Sequence, residues 1–230
     1  MVFLTGDTHG DFSGVAAFVT KQQTSKEDIL VIMGDAGVNF TAGERDLRVK
    51  QALQALPITL FCIHGNHEMR PFTIPSYRER DWHGGTVYVE ENFPDLLFAK
   101  DGEIYDLDGK DVIVLGGAYS VDKFYRLKMG YPWWEDEQPS DEIKAYAEMR
   151  LKERDWKVDT VFSHTTPFRY MPREVFLQTI DQRLVDDSTE KWLDTIEERL
   201  TYRNWYAGHF HCDKRIDRLR ILFHDYIEMR

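Results

Sequence analysis

Short apolar runs punctuate the chain, and most end abruptly at glycine or a polar side chain. Val2-Phe3-Leu4 stops at Gly6-Asp7, Ile29–Met33 at Gly34-Asp35, and Ile58–Ile63 at Gly65. A run that is apolar at every position, rather than every second one, predicts a strand covered on both faces. Between these runs Phe12, Val15, Ala16 and Val19 recur at helical spacing, and Glu44–Leu56 reads as a helix closed by Pro57. After Pro75 the pattern changes. Thr86–Glu90, Leu96–Ala99, Glu103–Leu107 and Val112–Leu115 read as short strands with almost no helix between them, and Asp108-Gly109 is a two-residue hairpin signal. Helices are expected over Ser140–Asp155 and Thr189–Leu200, the latter with an Asp187…Glu190 spacing that suits a cap. Strands are expected over Thr160–Phe162, Asn204–Ala207 and Arg215–Phe223.

A βαβαβ opening followed by a run of strands predicts an α/β fold, an α+β sandwich of two packed mixed sheets with helices outside. Without a repeat, low-complexity tract or Gly/Ser linker, residues 1–230 are expected to form a single domain. Segment 116–139 stands apart. It carries two glycines with Tyr119, Tyr125, Tyr131, Trp133 and Trp134, and reads as a long irregular loop. Loops of that length inside compact domains are usually functional or disordered, and the aromatics argue against disorder.

Composition sharpens the function classes. A net charge of −11 disfavours a surface for long nucleic acid, which rewards a basic footprint. It leaves small anionic substrates open, because bound divalent cations invert the local field. Only Cys62 and Cys212 are present, too few for a disulfide framework. Met1 runs directly into the first strand, and no apolar stretch approaches bilayer length. The expectation is a cytoplasmic protein with no membrane partner; the oligomeric state is open.

The candidate chemistry sits at the strand ends. Asp7-Thr8-His9, Gly34-Asp35, Gly65-Asn66-His67-Glu68, Ser163-His164 and Gly208-His209-Phe210-His211 each follow an apolar run. Imidazole nitrogens, carboxylates and an amide oxygen are good donors to divalent cations. Singly, each motif reads as well as a turn, a cap or a surface histidine. Five in order at strand ends read as a metal site.

That joint pattern resembles the calcineurin-like metallophosphoesterase superfamily, over residues 7 to 211. The resemblance implies a four-layer αββα sandwich and two divalent metal ions, drawn from Mn, Fe, Zn, Co or Ni. It implies that Asp7, His9, Asp35 and His211 hold one metal, and that Asp35, Asn66, His164 and His209 hold the other. His67 is the implied catalytic group, a general acid or hydrogen-bond donor to the leaving oxygen. The expected activity is hydrolysis of a small phosphomonoester by direct water attack. The alternatives are a phosphodiesterase acting on cyclic or small nucleotides and, in another class, a non-catalytic binding module.

One departure narrows the substrate. Protein serine/threonine phosphatases and dinucleoside tetraphosphate hydrolases carry G-D-x-x-D-R-G, where this chain has Val38 and Asn39 for the acid and the arginine. A valine cannot orient a histidine, and an amide lacks the charged fork of Arg. Asn39 therefore remains a weak candidate for substrate contact. Asp122 is a candidate to orient His67, Arg126 to grip phosphate, and Trp133 and Trp134 to wall the pocket. The competing reading makes Asp122 and Arg126 an i,i+4 surface pair. Arg169 and Arg173 are second candidates for substrate contact, while His64, His83, His224 and Cys212 read as structural or exposed.

Overall fold

The three opening runs form strands β1 (Val2–Thr5), β2 (Ile29–Ile32) and β3 (Thr59–Cys62), paired in parallel. They are joined by α1 (Ser13–Gln22) and α2 (Glu44–Gln54) in this computed structural model, which describes residues 1–230. Strands β4 (Tyr77–Trp82), β5 (Gly85–Glu90) and β6 (Leu96–Ala99) extend the sheet, β6 lying parallel to β3. The two-residue strand β13 (Ile227–Glu228) closes its other edge, giving the order β13-β1-β2-β3-β6-β5-β4.

A second sheet has the order β11-β12-β10-β9-β8-β7. Its strands are β7 (Ile104–Leu107), β8 (Lys110–Leu115), β9 (Thr160–Ser163), β10 (Asn204–Ala207), β11 (Lys214–Ile216) and β12 (Leu219–Ile221). Helices α4 (Asp141–Glu153) and α5 (Ser188–Arg199) cover its outer face. Asp108 and Gly109, at φ 52° and 71°, make the predicted hairpin between β7 and β8.

Strand alternation explains the continuous apolar runs. Leu4, Val31 and Phe61 point inward to meet Val112, Val114 and Phe162 of the other sheet. Leu30, Ile32 and Leu60 point outward onto Val15, Phe18 and Val19 of α1. Beyond the second sheet Ile113, Val161 and Trp205 pack on Leu151 of α4 and Ile196 of α5. The result is the expected four-layer sandwich. No helix is long and apolar enough to cross a membrane.

Three expectations need correction. Arg215–Phe223 is a hairpin rather than one strand, because Asp217 takes φ 54° and reverses the chain between β11 and β12. Segment 116–139 holds a helix, α3 (Lys123–Met129), stopped by Gly130 at φ 67°. Asp187 makes no capping bond to α5, and Glu190 turns instead to the Thr165 hydroxyl. The helix ends otherwise lie within two residues of expectation, and Ser140 caps α4 by accepting from the Ile143 amide.

Candidate metal centre and substrate cavity

The carboxyl ends of β1, β2, β3, β9 and β10 open on one edge of the sandwich, and every predicted ligand lies just beyond one of them. Ligand-binding crevices of parallel sheets form at this edge. Four of these side chains sit on backbone in the left-handed region: His9 (φ 48°), Asp35 (φ 47°), His209 (φ 68°) and His211 (φ 48°). Such residues cost about 1–2 kcal/mol each and persist where the surroundings over-determine them.

The motif glycines make room. A Cβ on Gly34 would lie 2.0 Å from His164 Nδ1, and one on Gly65 would lie 2.0 Å from Asp35 Oδ1. Only glycine lets these strands turn while the donor side chains close over them.

Two overlapping clusters result, Asp7 with His9 and His211, and Asp7 with Asp35 and His164. His9 Nε2 lies 2.8 Å from His211 Nε2, which in turn lies 3.4 Å from Asp7 Oδ2. Asp35 Oδ2 reaches both sides, 4.0 Å from His9 Nδ1 and 3.8 Å from His164 Nε2. Asn66 Oδ1 lies 2.8 Å from His164 Nε2 and 3.0 Å from His209 Nδ1. Its amide nitrogen donates to Ser120 Oγ at 2.8 Å, which fixes the oxygen toward the imidazoles. His164 Nδ1 donates to the Met33 carbonyl at 2.7 Å, so Nε2 keeps its lone pair for a ligand bond.

Electrostatics agree with a cation site. Asp7 and Asp35 are buried side by side with no lysine or arginine paired to them. Burial alone would raise the Asp7 carboxyl, yet the His211 hydrogen bond, the nearby His164 and His9 and the His209 amide hold it down at about 2. Burial pushes His209 down to about 3, so it presents a neutral imidazole. Buried acids beside neutral imidazoles are the donor set that hard-to-borderline divalent ions take. The residues present fit metal.

His67 stands beside this cluster, its ring 5.9 Å from that of His9. Its amide donates to Asp35 Oδ1 at 2.8 Å, while its buried ring Nδ1 has no partner. Burial lowers its pKa, with the Asp35 charge opposing, so the ring is neutral at neutral pH.

A cavity of 390 Å³ opens from the cluster, with Asp35, Asn66, His67, His209 and His211 at one end. Segment 116–139 supplies Tyr119, Val121 and Asp122 to its wall. Met171, Phe176, Leu177, Ile180 and Val185, downstream of His164, supply another side together with Phe210. Sequence reasoning missed these. No periodicity marks 171–185, whose described structure is short 3-10 turns, and its proximity is a tertiary fact.

The weaker substrate candidates fare unevenly. Asp122 lines the cavity, but Arg126 does not; its Nε donates to Asp122 Oδ2 at 2.8 Å, the i,i+4 pair of the competing reading. Asn39 is fully buried and accepts from the Tyr77 hydroxyl at 3.0 Å, so it cannot touch substrate. Trp133 packs under Lys123 and donates to Glu137, and Trp134 meets Phe40; neither walls the cavity. Arg169 is spent on Asp194, Glu197 and Glu198 of α5, and Arg173 lies over Phe168. His64 is buried, His83 and His224 are exposed, and Cys212 is partly buried against the second sheet's outer core.

Glu190 gave only a helix-start signal, yet it is buried in the cavity wall, where Thr165 Oγ1 donates to it at 2.7 Å. Burial raises its pKa from the ordinary 4.5 to about 7. The unfolded chain ionises this group near 4.5 and the folded chain only near 7, so folding is fully favoured below that window and loses about 3 kcal/mol across it. Glu190→Gln is expected to raise Tm at pH 8 while changing it little at pH 4. Equal effects at both pH values, in thermal melts, would show the carboxyl titrating normally.

Comparison with known proteins agrees with the fold. TT1561 of Thermus thermophilus superposes with a TM-score of 0.52 at 12% identity, over 96% of this chain and 87% of that one. A second solved structure gives a TM-score of 0.52 at 13% identity, over 96% and 88%. Among curated proteins none matches. The decisive comparison is with the family described as calcineurin-like phosphoesterase, which matches residues 1–213 and so takes in every ligand motif above: the chain belongs to that family.

Proposed function

We propose that this protein is a binuclear metal-dependent phosphoesterase that hydrolyses a small phosphomonoester by direct attack of water. The observation that carries the reading is the convergence of seven donor side chains from five strand ends, with His67 beside them and uncommitted. Asp7, His9, Asp35 and His211 would hold one divalent ion and Asp35, Asn66, His164 and His209 the other, Asp35 facing both groups. Bound there, the ions supply a water that is nucleophilic near neutrality and offset the charge of the in-line transition state.

The chain's own residues do the rest. The Met33 carbonyl keeps the His164 proton on Nδ1, and Ser120 holds the Asn66 amide in register. Neutral His67 is placed to donate its ring N–H as a hydrogen bond to the leaving oxygen, whose proton then comes from the attacking water. Asp122, with Oδ1 buried and unpartnered, lies in the same wall and is the group proposed to orient that ring. His67→Ala should keep its metal content and lose about 10²–10³-fold in kcat. Equal loss of metal, by elemental analysis, would remove the assignment.

The test of the reading is kcat/KM on p-nitrophenyl phosphate and its bis-ester after chelation and Mn²⁺ restoration. Monoester preference is the expected result. Diester preference would establish the phosphodiesterase alternative. Hydrolysis of neither, with metal bound, would favour a binding module.

A further inference from the structure

The metal cluster accounts for only one end of the cavity. Beyond it the wall combines Tyr119, Phe176 and Phe210 with the carboxylates Asp186 and Glu190, and no lysine or arginine lines it anywhere. Aromatic faces carry negative charge density and attract cations. Asp186 accepts only from the Ser188 amide at 2.9 Å and from Gln138 Nε2 at 3.1 Å. Glu190, only 4% exposed, accepts from Thr165. Neither carboxylate has an ion-pair partner; Asp186 is exposed, but Glu190 is buried, and a buried carboxylate without a partner is costly unless a ligand supplies the charge.

Ligand classes can be sorted against that wall. An anionic leaving group would meet Asp186 and Glu190, neither of them held in an ion pair, while the Asp122 carboxylate is already paired with Arg126. A sugar could bond Gln182 and the carboxylates, but the hydroxyls it turned toward Val121, Phe176, Leu177 and Ile180 would go unanswered. A compact cation with an apolar surface satisfies both halves of the wall.

We propose, resting on the phosphoesterase reading, that the substrate is a phosphoester of an amino alcohol, its ammonium group seated among Phe176, Phe210, Tyr119, Asp186 and Glu190. The reaction balances without a further reactant. Water oxygen bonds to phosphorus, the ester P–O bond breaks with its electron pair on the alcohol oxygen, and that oxygen takes one proton. The products are the free amino alcohol and inorganic phosphate.

The test uses two esters of the same shape, choline phosphate and its neutral carbon isostere 3,3-dimethylbutyl phosphate, on the Mn²⁺-loaded protein. The ammonium ester is expected to be preferred by about tenfold or more in kcat/KM. The ratio should fall toward one in Glu190→Gln and, should that variant fail to fold, in Asp186→Asn. Binding gives an activity-independent readout: choline should be seen by calorimetry to bind the loaded protein more tightly than 3,3-dimethylbutanol. Equal hydrolysis and equal binding, with p-nitrophenyl phosphate still turned over, overturn this inference and leave the phosphoesterase reading intact. No hydrolysis of any ester overturns that reading, and the substrate assignment with it.

Discussion

Asp35→Asn is expected to abolish two-metal binding and to lower kcat/KM by about 10⁴-fold or more, the equivalent of about 5 kcal/mol. Asp35 is the carboxylate that reaches both donor groups, through the one oxygen near His9 and His164. An amide oxygen brings no charge to offset either ion. The substitution is nearly isosteric, and its Oδ1 can still accept the His67 amide, which now bonds Asp35 at 2.8 Å. The metal-free variant should therefore melt within about 1 kcal/mol of the metal-free parent, since a buried charge without a cation partner is lost rather than created. The parent should gain about 2.7 kcal/mol when the metal stands at 100 times its Kd, and the variant much less. Two metals retained with turnover intact would remove Asp35 from its proposed place.

How much of this could be read from the sequence depended on what each residue answers to. β2 and β3 were legible because strands buried on both faces must be apolar throughout. β4 was not: its Arg78, Glu79 and Asp81 face water on the sheet edge and Arg80 is half-buried, so the hydrophobic signal is missing. The turn that joins it to β5 uses His83 and Gly84 at φ 49° and 80°, a pair without the usual Asn or Asp. β13, two residues long, carries too little pattern to register.

The candidate ligands were legible for a local reason. Each needs a strand end, and several need a glycine where another ligand's side chain passes, so the signal is short and contiguous. Asn39 and Asp122 lacked such a signal, and which way each points follows from Tyr77 and Arg126, residues 38 and 4 positions away. The cavity wall from 171 to 185 is a further step removed. Its apolar residues follow neither period, and only the packed fold turns them toward the candidate metal centre.

The same distinction marks Arg70, which no motif highlighted and which the packed fold sets in a buried ion pair. It follows the Gly65–Glu68 loop, which carries a candidate ligand, and is buried, with Nη1 donating to buried Asp101 Oδ2 at 2.6 Å. Its Nε donates to the Asp136 carbonyl at 2.7 Å, while Asp101 Oδ1 accepts from the Gly116 amide at 2.9 Å. One ion pair thus ties the ligand loop to both ends of segment 116–139, the segment that brings Tyr119, Val121 and Asp122 to the cavity. Arg70→Met should cost about 3–5 kcal/mol, because it leaves Asp101 buried and unpaired. In a chain of this size that is a drop of roughly 10–15 °C in Tm. Pairing the change with Asp101→Leu should recover part of the loss, because the second substitution removes the stranded charge. The single variant should raise KM more than it lowers kcat, since the wall loosens while the donors stay on their strand ends. A single-variant loss below about 1 kcal/mol would put the pair in the class of solvent-screened surface bridges, and segment 116–139 would then have to be held by its own contacts, the Ser120 and Trp133 bonds to Glu137.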